Sequence, residues 1–344
     1  MNKKIIRLVV CFIIICCSLS VLASCTIDGP NGQAEKTGIN YLVLGDSIAE
    51  AIIGVSPLEE RDNFAYCSVV GQINGYTYHN RSISGKKTGG LLEYISSDVD
   101  TTAYTPITLI KQADIIQISI VGNNVLLENT SLLAMEMADG DTTRIDGFLK
   151  TAYDEFELII DRLYELNPDV TILIQTIYNP MYAASTIISQ EAKEYVVSKG
   201  HSFYEIGGYM LNRMNGVFYD YQREHPYKIH IVDVNSKFDA VKRNSTEDVD
   251  CLDRLIFPDC IHPSNEGHAY IATTTQEKLE ELGFADHDTA MANYKALRIN
   301  QLKRLYKDTT VNVKQVTKQI KSATTYDQIN KVFFDATYDV VPNY

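Results

Sequence analysis

The chain has 344 residues, 45% hydrophobic and 22% charged, with a formal charge of −13. That balance suits a globular chain with a sizeable core and excludes a composition-driven disordered one. The acidity argues against nucleic acid or an anionic membrane surface as a partner, because a phosphate-rich surface repels it.

The first 24 residues carry Lys3, Lys4 and Arg7, an apolar run over residues 8–22, and the small residues Ala23 and Ser24 before Cys25. A cationic start, a short apolar stretch and small residues at the end form the pattern of a secretory signal, and the run is short for a membrane span. Leu22-Ala23-Ser24-Cys25 resembles a bacterial lipobox, which implies cleavage before Cys25 and diacylation of its sulfur; ordinary secretion and an uncleaved anchor helix are the alternatives. Two or more acyl chains would hold the protein on the membrane, facing away from the cytoplasm. The mature chain would keep 320 residues, and losing Lys3, Lys4 and Arg7 takes the charge to −16. Residues 25–38 are polar with Gly and Pro and read as a flexible tether from Cys25. Beyond Cys25 the cysteines are Cys67, Cys251 and Cys260, without metal-type spacing; Cys251 and Cys260 are a candidate disulfide or two free thiols.

Order is expected from Ile39. Short apolar runs at residues 41–44, 114–121, 170–177 and 228–234 read as buried parallel strands, with a further strand at residues 76–82. Ile145, Phe148, Leu149, Ala152, Phe156, Ile159, Ile160 and Leu163 recur at three- and four-residue steps and predict one long helix, stopped by Asn167-Pro168-Asp169. Residues 267–282 are helical in pattern, and Pro263 sits where a helix can begin. This alternation predicts an α/β domain over residues 39–282, a doubly wound parallel sheet flanked by helices. Leu297, Leu302 and Leu305, then Val313, Val316 and Ile320, then Ile329, Phe333 and Phe334 predict two or three short helices in a C-terminal extension, residues 283–344. The stretch between Asn179 and Tyr227, rich in Tyr, Met and Ile, is either a lid bordering a pocket or ordinary helical packing.

Leu44-Gly45-Asp46-Ser47 follows the first strand, at the strand end where open α/β sheets place ligands; a serine there is also a common helix cap. Asp259-Cys260-Ile261-His262-Pro263 places a carboxylate three residues before a histidine, the pairing that orients an imidazole to take a proton from a serine hydroxyl. Two more strand ends carry Ser84-Gly85 and Gly122-Asn123-Asn124. A backbone N–H and a side-chain amide at such points can hold the oxyanion of acyl transfer, although a turn glycine and a capping asparagine look the same.

In this order the four blocks resemble the SGNH hydrolase superfamily, the GDSL lipases and acylhydrolases. The resemblance covers roughly residues 39–282 and implies a flavodoxin-like three-layer sandwich. It further implies Ser47 as nucleophile and backbone oxyanion donor, Gly85 and Asn123 as the other donors, His262 as base and Asp259 as its partner. Two departures stand out. The family usually shows Gly-x-Asn-Asp where this chain has Gly122-Asn123-Asn124, which keeps Asn124 open as the donor, and Lys86-Lys87 lengthens the second block before Thr88. The resemblance implies a serine esterase or lipase that needs no cofactor, acting on an ester substrate that is a lipid or an acylated glycan. A carbohydrate O-acetylesterase and a catalytically silent surface-binding lipoprotein are the alternatives. No metal site is expected, since His201, His230 and His268 lack ligand spacing. Oligomeric state leaves no trace in the sequence.

Overall fold

β-branched residues flanked by turn formers give five short strands among the residues that the computed structural model describes, namely 37–51, 63–97, 105–182, 185–243, 254–256 and 261–342. All of these lie in one unit, Gly32–Tyr344. The strands are β1 (Asn40–Gly45), β2 (Thr77–Asn80), β3 (Ile115–Ser119), β4 (Thr171–Gln175) and β5 (His230–Val232). Every pair is parallel, and the sheet order is β2-β1-β3-β4-β5. The chain thus leaves β1 for one edge and returns on its other side as β3. The strand order reverses there, and the crevice at the carboxyl ends of β1 and β3 is the place a doubly wound sheet offers a ligand.

The helices are α1 (Tyr66–Asn74), α2 (Thr88–Ser96), α3 (Pro106–Gln112), α4 (Gly122–Leu126), α5 (Thr130–Ala138), α6 (Thr143–Leu166) and α7 (Gln190–Ser198). After them come α8 (Phe203–Glu224), α9 (Val234–Arg243), α10 (Asn265–Glu281), α11 (His287–Leu305), α12 (Val313–Ser322) and α13 (Tyr326–Thr337). Strand periodicity sorts them into layers. Leu42, Leu44, Ile116, Ile118, Ile172 and Ile174 point to one face, which α2, α3, α5, α6, α7 and α8 cover with aliphatic and aromatic side chains. Tyr41, Val43, Ile115, Leu173 and Val232 point to the other, against α1, α9 and α10. This is the three-layer α/β sandwich expected, with the C-terminal helices present.

Several elements differ in detail from the sequence expectation. α10 opens at Ser264, whose hydroxyl accepts from the Gly267 amide at 3.1 Å, so Pro263 precedes the cap. The stretch after Asn179 contains α7 and α8, which bury one apolar face each in the aliphatic layer; at its start, Pro180 reaches the cleft beside Ser47. Three C-terminal helices form, and α11, at 19 residues, is no short one. They lie over α1 and α10, where Arg298 of α11 is fully buried. Its guanidinium donates to the Tyr294 hydroxyl at 2.8 and 3.1 Å and to Gln301 Oε1 at 2.8 Å, and packs on the rings of Phe64, Phe333 and Phe334.

Candidate active site

The turn after β1 is built from a close approach of two strands. Gly45 has φ +133°, and a Cβ there would overlap the Ser119 carbonyl oxygen, so β1 and β3 meet with only a hydrogen atom to spare. The same carbonyl accepts from the Asp46 amide at 3.0 Å. Asp46 then folds its carboxylate back: Oδ1 accepts from the Ile48 amide at 3.0 Å and from the Ser119 hydroxyl at 3.1 Å. Locked this way, the turn presents Ser47, and its Oγ lies 2.8 Å from His262 Nε2. The hydroxyl therefore meets an imidazole and not a backbone amide of a following turn.

His262 arrives on a loop pinned at both shoulders. Ile256 and Pro263 form an antiparallel bridge, the Ser264 amide donates to the Leu255 carbonyl at 2.9 Å, and the Ser264 hydroxyl donates to the Arg254 carbonyl. Any Cβ on Gly267 would strike that Leu255 carbonyl, which fixes how closely α10 approaches the loop. From the cleft side, the Tyr178 hydroxyl donates to the Ile261 carbonyl while its ring stacks on Phe238 at 4.6 Å. Arg254 ties the base of the loop outward. It grips Glu266 of α10 with two bonds of 2.9 and 3.1 Å, meets Asp335 of α13 at 2.8 Å, and lies 4.9 Å from the Tyr338 ring centre. Asp259 falls outside the described residues, as do Cys25, Cys251 and Cys260.

The two asparagines part company at α4. Asn124 is buried and exchanges hydrogen bonds with Thr88: Thr88 N–H to Oδ1 at 3.1 Å, and Nδ2 to Oγ1 at 2.8 Å. Asn123 is half-buried and lines the cleft with Ser47, donating from Nδ2 to the Lys86 carbonyl at 3.0 Å. That bond couples it to the turn of Gly85, which has φ +77°. The extra lysine of the second block is absorbed here, since Lys87 stands at the start of α2 in extended conformation. Just before α4, Val121 holds φ +81°, a conformation that a β-branched residue adopts only when its surroundings force it, and such strain gathers at functional sites.

Asp46 brings a carboxylate to the lining of the cleft. Burial pushes its carboxyl up to about 6, against the opposing pull of the Ile48 amide, the Ser119 hydroxyl and His262. Glu266 behind the histidine loop is likewise raised to about 7 by burial, with Arg254 pulling the other way. His201 sits beside Glu205, and His268 is buried with its ring stacked on Tyr66. Among the described residues, no three metal-ligating side chains gather.

Asp46, Ser119 and Gln175 line the cleft with Ser47, and the motif reading passed over all three as site residues. A signal was present: Ser119 and Gln175 are polar residues at the carboxyl ends of largely apolar strands.

A family model described as GDSL-like Lipase/Acylhydrolase matches residues 43–270, more than half of the chain. The chain resembles the crystal structure of an extracellular lipase from Streptomyces rimosus, with 15% identity, a TM-score of 0.50, and coverage of 70% of this chain and 99% of that one. It also resembles phospholipase A1 from Streptomyces albidoflavus, with 15% identity, TM-score 0.48 and 70% and 98% coverage. An acetyl xylan esterase from Geobacillus stearothermophilus aligns with 17% identity, TM-score 0.40 and 73% and 98% coverage. No curated protein matches in sequence. The likeness to the Streptomyces rimosus lipase speaks to the fold, and the family match runs from within β1 to within α10. The chain belongs to the GDSL-like lipase/acylhydrolase family, and it is an ester-hydrolysing enzyme.

Proposed function

We propose that the protein hydrolyses carboxylic esters by two-step acyl transfer through Ser47, at the outer face of the membrane. One observation carries the reading: Ser47 Oγ and His262 Nε2, 215 positions apart in sequence, stand 2.8 Å from each other. A serine hydroxyl becomes a useful nucleophile when an imidazole at that distance takes its proton. Ser47 attacks the ester carbonyl while His262 accepts the hydroxyl proton. The tetrahedral oxyanion is held by the amides of Ser47 and Gly85 and by the Asn123 carboxamide. Collapse expels the alcohol, which takes the proton from His262; water, deprotonated by the same imidazole, then releases the acid and restores Ser47. Asp259 acts as the partner that orients His262 and stabilises its charged form.

Location belongs to the same proposal. Residues 1–24 direct export, and lipid on Cys25 retains the enzyme on the membrane. Among the described residues, no helix is long and apolar enough to cross a membrane. Cys25→Ala should release the protein into the soluble fraction and abolish its labelling by a fatty-acid analogue.

A serine-directed phosphonate supplies the direct test. It should label the wild-type protein on Ser47 and inactivate it in the same proportion, and Ser47→Ala should hydrolyse no nitrophenyl ester from acetyl to long acyl. Full ester hydrolysis by Ser47→Ala would end the proposal.

A further inference from the structure

We propose that Gln175 is a specificity-determining residue whose carboxamide receives a hydroxyl group carried by the ester substrate, so that the preferred substrates are esters of polyols or sugars. The inference rests on the hydrolase reading above and deepens it.

Register places the residue. Gly45 pairs with Ser119, and Ile118 with Ile174, so Gly45, Ser119 and Gln175 form one row across β1, β3 and β4 on the same face of the sheet. That row underlies the turn that presents Ser47. Gln175 lines the same cleft as Ser47 and Asn123 while being 2% exposed, and its Oε1 is buried with no hydrogen-bond partner.

Its polar neighbours on the same face are paired. Gln117, two residues deeper on β3 and on the same face, accepts from the Tyr41 hydroxyl and donates to the Thr275 hydroxyl at 3.1 Å. Ser119 is paired with Asp46 at 3.1 Å. A buried carboxamide oxygen left without a donor is costly, and native proteins keep such atoms rarely. The residue lines the cleft that holds the nucleophile, and a half-turn of the carboxamide about its last bond would bring Oε1 to a donor on a bound molecule.

The ligand chemistry follows from that requirement. An alkyl chain pressed against Gln175 would leave Oε1 unpaired, whereas an alcohol-bearing substrate donates an O–H to it. Leu126, Ile177, Tyr178, Pro180 and Ile261 give the walls an apolar surface that suits the C–H faces of a polyol or sugar. Sites built around a substrate hydroxyl discriminate strongly against the analogue that lacks it.

Glycerol monoacetate and propyl acetate share the acyl group and the three-carbon alcohol and differ in hydroxyls. Wild-type enzyme should favour the glycerol ester in kcat/KM by about tenfold to a hundredfold. Gln175→Met, close in shape and without hydrogen-bonding capacity, should lose that preference through the glycerol ester alone, with propyl acetate turnover kept and Tm unchanged or raised. Equal kcat/KM for the two esters in the wild type, a preference that Gln175→Met retains, an equal loss on both esters, or a large fall in Tm each overturns the assignment. Absence of Ser47-dependent turnover of nitrophenyl acetate would instead bring down the hydrolase reading beneath it.

Discussion

Ser47 and His262 meet at 2.8 Å but are delivered by differently made regions. The serine region is short and internally closed: β1, β3 and the turn between Gly45 and Ile48 hold one another through backbone atoms, a glycine contact and the Asp46 carboxylate. The histidine region is assembled from pieces, a loop fastened to α10 by Ser264 and Arg254 and braced by Asp335 of α13. That brace lies beyond the residues matched by the family model, which end at 270. The contrast teaches where tolerance should reside. Backbone contacts admit no substitution, whereas a side-chain ion pair at the surface can be lost and partly replaced by water.

The harshest way to break the serine region is Gly45→Ala. A methyl group cannot fit against the Ser119 carbonyl, and the backbone there is left-handed, so the variant should lose about 4 kcal/mol or more and fail to accumulate as soluble protein, measured by yield and denaturation. Next comes Asn123→Ala, expected to lower kcat by roughly 10²- to 10³-fold with Tm preserved. Asn124→Ala sharpens the contrast, because its amide is committed to Thr88 and its loss should appear mainly as reduced stability.

Asp46→Asn acts through pH. Burial raises the carboxyl to about 6, so the folded protein holds this proton more tightly than the unfolded chain does. The associated stability is complete below about pH 4 and is lost as pH rises through about 6. Asparagine keeps the acceptor for Ile48 and Ser119 without the charge. Relative to wild type it should therefore gain up to about 3 kcal/mol between pH 4 and pH 8, read by urea titration at the two values. The smallest effect is expected in the histidine region: Asp335→Ala exposes one side of Arg254 to water and should cost about 1 kcal/mol or less, with kcat reduced only a few-fold. A loss as large as that of Asn123→Ala would show that the brace governs the imidazole directly.

Much of this was written in local sequence. Strand runs at residues 41–44 and 114–121 ended where β1 and β3 end to within two residues, and the serine and histidine blocks were recognisable because each is a contiguous peptide at a strand or helix boundary. The pairing of Asn124 with Thr88 was not legible, since it joins residues 36 positions apart. Nor was the Arg254 to Asp335 link, which joins residues 81 apart with no shared periodicity. Gln175 looked like one more polar residue at a strand end; its unpaired oxygen becomes apparent only when neighbouring strands are set in register.

Arg298 carries a consequence for how the molecule comes apart. Its guanidinium, sealed among Phe64, Phe333 and Phe334 and shared with Tyr294 and Gln301, sits where α11, α13 and the residues leading into α1 converge. Peeling away the last helices would expose the Phe64, Phe333 and Phe334 rings to water, so partial detachment is a high-energy event. Heating should therefore melt tail and sheet together in one calorimetric peak, and a protease should find no intermediate to trim.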